Sequence, residues 1–188
     1  DMIVVSSTPG EALEREWKCV CDTHAFHSIP VGTIYFGGGT PSTLTPAQWS
    51  SLTRFMHHNM SIAPDVEWSV ECNPESFNTE KARAWLDSGV NRLTLGIQSL
   101  DERLLRLLGR PHNARRALEV LREPLLAHFS SVNVDVLYGL PQQTTASLRK
   151  TLDRLLHHDV VRHLSAYELS LAGATPFGRH RRLLPLPS

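Results

Sequence analysis

The sequence predicts an α/β fold: one curved parallel sheet with helices outside it and a polar concave face. Three observations carry this. After an opening helix, strand-like and helix-like stretches alternate through five strands with short connections, the pattern of right-handed βαβ units. Three of the strands divide by the period of two into an apolar and a polar face, whereas a sheet covered on both sides is apolar on both. Finally, the first strand runs into Gly37-Gly38-Gly39, where missing Cβ atoms leave the backbone open to close approach.

Residues from Pro9 to about Phe26 read as a helix, with Thr8 as N-cap, Pro9 at the first helical position, and Leu13, Trp17 and Val20 on one side. Thr33 to Phe36 is β-branched and aromatic, a short buried strand by propensity, and Pro41 ends its pairing. Thr45-Pro46 opens a helix to about His58, with Trp49, Leu52, Phe55 and Met56 on one side. Val66 to Cys72 alternates as a strand and stops at Asn73-Pro74. A helix over Thr79–Ser88 closes at Gly89. Asn91 to Gln98 is a strand, Asp101 to Leu108 a helix, and Asn113 to Phe129 a second helix that Pro124 kinks or breaks. Val132 to Leu137 is a strand, Thr144 or Thr145 caps a helix to about His158, and His163 to Leu169 is the last strand. From Ala172 onward neither period persists, and Arg179 to Arg182 make a short basic run read as a solvated tail. One core domain over residues 1–178 and a tail over 179–188 follow.

Composition limits the classes of function. Lys and Arg total 19, as do Asp and Glu, so no basic excess points to nucleic acid. No apolar run approaches the roughly 18 residues of a membrane span. Three cysteines make no disulfide framework and imply a reducing compartment, read as the cytoplasm with an organelle interior left open. Cys19, Cys21, His24 and His27 match a zinc spacing only loosely, and two residues apart on a helix Cys19 and Cys21 point to different sides. They are read as ordinary helix residues.

The polar face gathers Ser69, Glu71 and Asn73 in the second strand, Thr94, Gly96 and Gln98 in the third, and Asn133 and Asp135 in the fourth. Glu71, Gln98 and Asp135 stand near carboxyl ends of strands, beside the glycine run, where parallel sheets bind ligands. Each has a plain alternative: a structural carboxylate at Glu71, a loop cap at Gln98, a brace at Asp135, a surface arginine at Arg110. Together they offer carboxylates for hydroxyls, an amide for a polar edge and a guanidinium for a carboxylate. A ligand with sugar hydroxyls and an amino-acid end suits that set.

Five motifs occur in order: Tyr-Phe-Gly-Gly-Gly-Thr-Pro-Ser-Thr-Leu at 35–44, Glu-Cys-Asn-Pro-Glu-Ser at 71–76, Gly-Val-Asn-Arg-Leu-Thr-Leu-Gly-Ile-Gln-Ser-Leu-Asp at 89–101, Leu-Gly-Arg-Pro-His at 108–112 and Asp-Val-Leu-Tyr-Gly-Leu-Pro-Gln-Gln-Thr at 135–144. In this order they resemble the radical S-adenosylmethionine proteins of the oxygen-independent coproporphyrinogen-III oxidase group (HemN/HemW-like), over about residues 10 to 187. The resemblance implies a partial (β/α) barrel of TIM type, holding S-adenosylmethionine against a [4Fe–4S] cluster. By the same resemblance Gly38, Gly39 and Thr40 take the methionine end of the cofactor, Glu71 binds its ribose, and Gln98, Arg110 and Asp135 make later contacts. No residue is assigned as catalytic or as a metal ligand. In the oxidase branch, propionate side chains of coproporphyrinogen III lose carbon dioxide. The Leu-Gly-Arg-Pro-His motif, with residues 164–171 and 173–177, resembles more closely the HemW branch, regarded as haem chaperones that bind haem and pass it to a haem-accepting protein.

The resemblance breaks at the cluster. The family holds it with Cys-x3-Cys-x2-Cys after the first barrel strand, and neither that strand nor that loop is recognisable here. Cys19-Val20-Cys21 has the wrong spacing, and Cys72 reads as structural. The chain is accordingly read as an internal fragment, with Asp1-Met2 just past the cluster loop and a C-terminal region cut short, and the remaining possibility is an inert piece. Anaerobic iron–sulfur reconstitution of this chain is expected to give no stable cluster; iron and sulfide retained at four per chain after gel filtration would contradict that reading.

Overall fold

Five segments pair into one wholly parallel sheet, and they lie in it in the order they have in the chain. They are β1 (Val31–Phe36), β2 (Ile62–Cys72), β3 (Arg92–Gln98), β4 (Ser131–Tyr138) and β5 (Val161–Glu168). The computed structural model describes residues 9–23, 29–173, 176–180 and 184–186. Thr8, His24, His27, Arg181, Arg182 and the Asp1-Met2 start fall outside them. Helices α1 (Pro9–Thr23), α2 (Pro46–Asn59), α3 (Thr79–Ser88), α4 (Glu102–Leu107), α5 (Ala114–Leu121) and α6 (Thr145–Leu156) precede or link the strands, and a four-residue α7 (Pro176–Arg179) follows.

An unbroken strand order has a geometric consequence. Right-handed crossovers between successive neighbours all fall on the same side of the sheet, so the helices collect there and leave the other side bare. Ile34, Trp68, Val70, Leu93, Leu95, Ile97, Val132, Val134 and Val136 accordingly share a core with Trp49, Leu52, Trp85, Leu118 and Leu155 of the helices. The sheet is curved around the bare side. Gly39, just past β1, and Asp135 on β4 line one hollow, although in a flat sheet three strand spacings would separate their strands by about 14 Å. The result is a partial (β/α) barrel with its helices outside.

Caps fix the helix starts. The Thr45 hydroxyl accepts from Gln48 N at 3.2 Å while Gln48 Oε1 accepts from Thr45 N at 2.9 Å, a capping box. Asn78, Asp101 and Asn113 cap α3, α4 and α5, and Thr144 caps α6. Gly89, at φ 101°, ends α3 in the left-handed region.

Three expectations need correction. Strand β2 begins at Ile62, four residues earlier than its alternation suggests. Pro64 cannot donate to a ladder, and the structure accommodates it where the β1–β2 register slips between Val31 and Thr33. The helix expected over Asn113–Phe129 stops at Leu121, and Pro124–His128 forms a separate 3-10 turn, because proline cannot continue the backbone bonding. Strand β1 is not buried along its length: Gly32, Thr33 and Tyr35 are exposed, the last two on the bare face, and Ile34 alone is buried.

An aromatic cluster clamps the first two helical crossovers to the sheet. Phe36 and Trp49 lie 4.6 Å apart by ring centroids, Trp49 and Trp85 6.3 Å, and Phe77 and Trp85 6.2 Å. The Trp49 indole donates to Ser88 Oγ at 2.9 Å, so its polar edge is satisfied inside the core. Trp85→Ala is expected to cost about 3–5 kcal/mol, read as a lowered urea midpoint with the slope unchanged.

Candidate functional site at the strand ends

The bare face closes on a hollow of about 220 Å³ lined by Gly39, Thr40, Pro41, Glu71, Cys72, Asn73, Thr94, Gly96, Gln98, Arg110 and Asp135. Six of the seven residues singled out in the sequence are therefore brought together: Gly39, Thr40, Glu71, Gln98, Arg110 and Asp135. Gly38 is not in the lining. It and Gly39 sit at φ 71° and 69°, so the pair turns the chain out of β1 through the left-handed region. Thr40 then leads into a 3-10 turn over Pro41–Thr43.

That turn is tied to the end of β2. The Lys81 ammonium donates to the Ser42 carbonyl at 2.6 Å and to the Ser76 carbonyl at 3.0 Å, and the Ser42 and Ser76 hydroxyls meet at 2.6 Å. The glycine turn and the Asn73–Ser76 bend thus form one hydrogen-bonded unit beside Glu71.

Glu71 takes a hydrogen bond from the Tyr35 hydroxyl. Tyr35 is 61% exposed and sits two residues before Gly37. A Cβ at Gly37 would lie 2.2 Å from the Tyr35 ring and 3.1 Å from the Glu71 carboxyl carbon, so glycine there lets the ring fold back onto the acid. This hydrogen bond, then burial, then the negative charge of Glu71 push the phenol up to about 12. Tyr35 was missed in the sequence because an aromatic in a β-branched run looks like core; its place in the alternation, on the face of Glu71, was the signal.

Asp135 accepts from Asn133 Nδ2 at 2.8 Å, and Asn133 Oδ1 accepts from Ser165 Oγ at 3.1 Å, which anchors the acid through β5. Burial raises its carboxyl above the usual range, the Asn133 bond opposes this, and the nearby Glu71 charge raises it further. Two acids so placed favour a ligand that brings hydroxyls or positive charge between them.

Gln98 occupies the left-handed region at φ 66°, where non-glycine residues are uncommon. The β3–β4 ladder slips there: Leu95 faces Val134, but Gln98 faces Val136, three residues against two. Gly96 makes the room, since a Cβ would lie 2.8 Å from Asn73 Oδ1 and 3.3 Å from Gln98 Nε2. Arg110 follows Gly109, which is at φ 65° just past the end of α4. Among the described residues its guanidinium has no carboxylate partner.

These groups fit S-adenosylmethionine in kind: acids for hydroxyls, a free guanidinium for a carboxylate, and a space that a side chain at position 96 would fill. They do not fit an iron–sulfur cluster. Among the described residues no three potential ligands converge. Cys19 is exposed on α1, and Cys72 is buried on β2 with its thiol pushed up to about 11 by burial, the reverse of what a thiolate ligand needs. Cys21 has no described side chain.

Comparison with known proteins identifies the family and the fold. The family model "Radical SAM superfamily" matches residues 15–155. "Radical S-adenosyl methionine domain-containing protein 1, mitochondrial" of Mus musculus is 39% identical over 145 residues, 77% of this chain and 33% of that protein. "Heme chaperone HemW" of Lactococcus lactis is 34% identical over 166 residues, 87% of this chain and 44% of that protein. The chain thus spans less than half the length of these curated relatives. In fold it is similar to the coproporphyrinogen III oxidase HemN of Escherichia coli, at a TM-score of 0.79 and 26% identity, over 97% of this chain and 43% of that one. No helix among the described residues is long and apolar enough to cross a membrane.

The Tyr35–Glu71 contact has a pH signature. Folding holds the phenol neutral up to about 12, against 10.0 ordinarily, so the contact's stabilisation is complete below pH 10 and lost as pH rises from 10 to about 12. Ultraviolet difference titration is expected to show one tyrosine ionising late, and Glu71→Gln is expected to bring it back toward 10.

Proposed function

The chain belongs to the radical SAM superfamily, and on that premise we propose that its strand-end hollow binds S-adenosylmethionine and that the protein handles haem as its HemW relatives are named for doing. The observation that carries the first part is the convergence of Gly39, Thr40, Glu71, Gln98, Arg110 and Asp135 on one hollow. The second part is supported by the match to HemW and by the resemblance of the Leu-Gly-Arg-Pro-His motif to that branch.

In this reading Glu71 accepts from the ribose hydroxyls, with Tyr35 fixing which carboxylate oxygen stays free. Gly38, Gly39 and Thr40 present backbone groups to the methionine end, and Arg110 takes its carboxylate as a charge-assisted pair. Gln98 and Asp135 complete the polar edge. The cofactor supplies the sulfonium chemistry when bound; these residues place it and keep its charged end out of bulk water. Cluster chemistry is assigned to none of the described residues.

A second reading, a porphyrinogen decarboxylase, is favoured by the likeness to HemN. Both need a tetrapyrrole or its precursor, and they differ in whether it is carried or altered. Localisation is proposed as cytoplasmic or organellar, and the mitochondrial name of the mouse relative supports the organelle.

Glu71→Ala is expected to weaken S-adenosylmethionine binding at least tenfold in calorimetric titration while leaving the circular dichroism spectrum unchanged and lowering the melting temperature only by the loss of the exposed Tyr35 contact. Unchanged affinity would remove Glu71 from the site, and no binding by the wild-type chain would leave the inert reading. For the haem part, hemin added to the protein is expected to give a shifted Soret band that saturates; saturable binding of coproporphyrin III without saturable hemin binding would favour the decarboxylase.

A further inference from the structure

His112 closes the Leu-Gly-Arg-Pro-His motif, yet it is absent from the lining of the hollow and has no role in the reading above. It is 4% exposed. Its Nδ1 lies 3.0 Å from Glu75 Oε2, and its Nε2 lies 3.2 Å from the Ile97 carbonyl oxygen. A backbone carbonyl only accepts, so Nε2 is the donor of that bond.

The Ile97 carbonyl is not an ordinary rung. It lies inside the stretch where β3 slips against β4, and Ser99 N donates to the same oxygen at 2.8 Å. Gln98, between Ile97 and Ser99 in sequence, is held at φ 66°, a strained conformation for a non-glycine residue that persists only where its surroundings enforce it. Gln98 is 9% exposed and borders the hollow. Its backbone is thus fixed by a carbonyl gripped from both sides, one grip being the imidazole. The other ring nitrogen is braced by Glu75, two residues past Asn73, which is itself in the lining.

We propose that His112 is a positioning residue for the cofactor site: it touches no ligand, but through the Ile97 carbonyl it locks Gln98 in the left-handed turn that presents its amide to the hollow. This rests on the assignment of the hollow to S-adenosylmethionine. A histidine that merely filled the core would contribute stability and nothing specific to Gln98.

The test uses His112→Leu, which removes both hydrogen bonds, and His112→Gln, whose amide N–H still reaches a carbonyl. Titrated with S-adenosylmethionine, His112→Leu is expected to bind about tenfold more weakly, and His112→Gln within about threefold of wild type. With Gln98→Ala already present, adding His112→Leu is expected to cost less than about twofold. Amide hydrogen exchange at Ser99, measured without ligand, is expected to quicken at least tenfold in His112→Leu and to stay slow in His112→Gln. Wild-type affinity in His112→Leu, a full tenfold loss persisting with Gln98→Ala, or unchanged exchange at Ser99 would each overturn the proposal. If wild type binds no S-adenosylmethionine, the cofactor assignment fails while the exchange measurement still decides whether His112 locks the turn. If leucine prevents folding, His112→Gln carries the comparison: loss of protection at Ser99 in that variant overturns the proposal, and its retention supports it.

Discussion

Everything at the strand ends depends on a constraint of connectivity. Five parallel strands in chain order force the linking helices to one side. The other side therefore faces no hydrophobic layer and can carry Ser69, Glu71, Thr94, Asn133 and Asp135 without burying unpaired charge in a core. Such a face gains little from apolar burial. Stability comes from the opposite side, where the tryptophans at 49, 68 and 85 are each almost wholly enclosed. The division lets one sheet be firm on its convex side and chemically selective on its concave one.

Selectivity at the hollow is built by hydrogen bonds between chain segments far apart in sequence. Tyr35 reaches Glu71, Lys81 joins the glycine turn to the bend after β2, and Ser165 reaches Asn133, which holds Asp135. Each is modest alone, since a protein hydrogen bond is worth about 1 kcal/mol net. Together they fix the acids before a ligand arrives, so that less ordering remains to oppose binding.

Much of this was legible in the sequence, and the reasons are local. A period of two assigns faces without knowledge of neighbours, so Glu71, Gln98 and Asp135 could be placed on one side from their parity. Glycine and proline mark where strands must stop, which located the turn at 37–41. What was not legible is long-range or conformational. The start of β2 was hidden because Pro64 reads as a breaker until a register slip is seen to absorb it. The turn at Gln98 gives no compositional sign, since glutamine rarely takes positive φ. Gly96 looked like one more small residue, and only the distance to Asn73 shows what a methyl group would displace. The partnership of His112 with Glu75 spans 37 positions, beyond any pattern a single sequence displays.

The two outer strands differ in a way that bears on handling. Among the described residues each leaves one side of its backbone without a neighbouring strand. Strand β5 carries Arg162 and Glu168, both exposed, and charges of that kind discourage a foreign strand from annealing. Strand β1 reads Val-Gly-Thr-Ile-Tyr-Phe and has no charge at all. At the concentrations used for spectroscopy, unwanted self-association by this chain would therefore nucleate along Val31–Phe36, and lysine introduced at Thr33 is the natural gatekeeper for a better-behaved preparation.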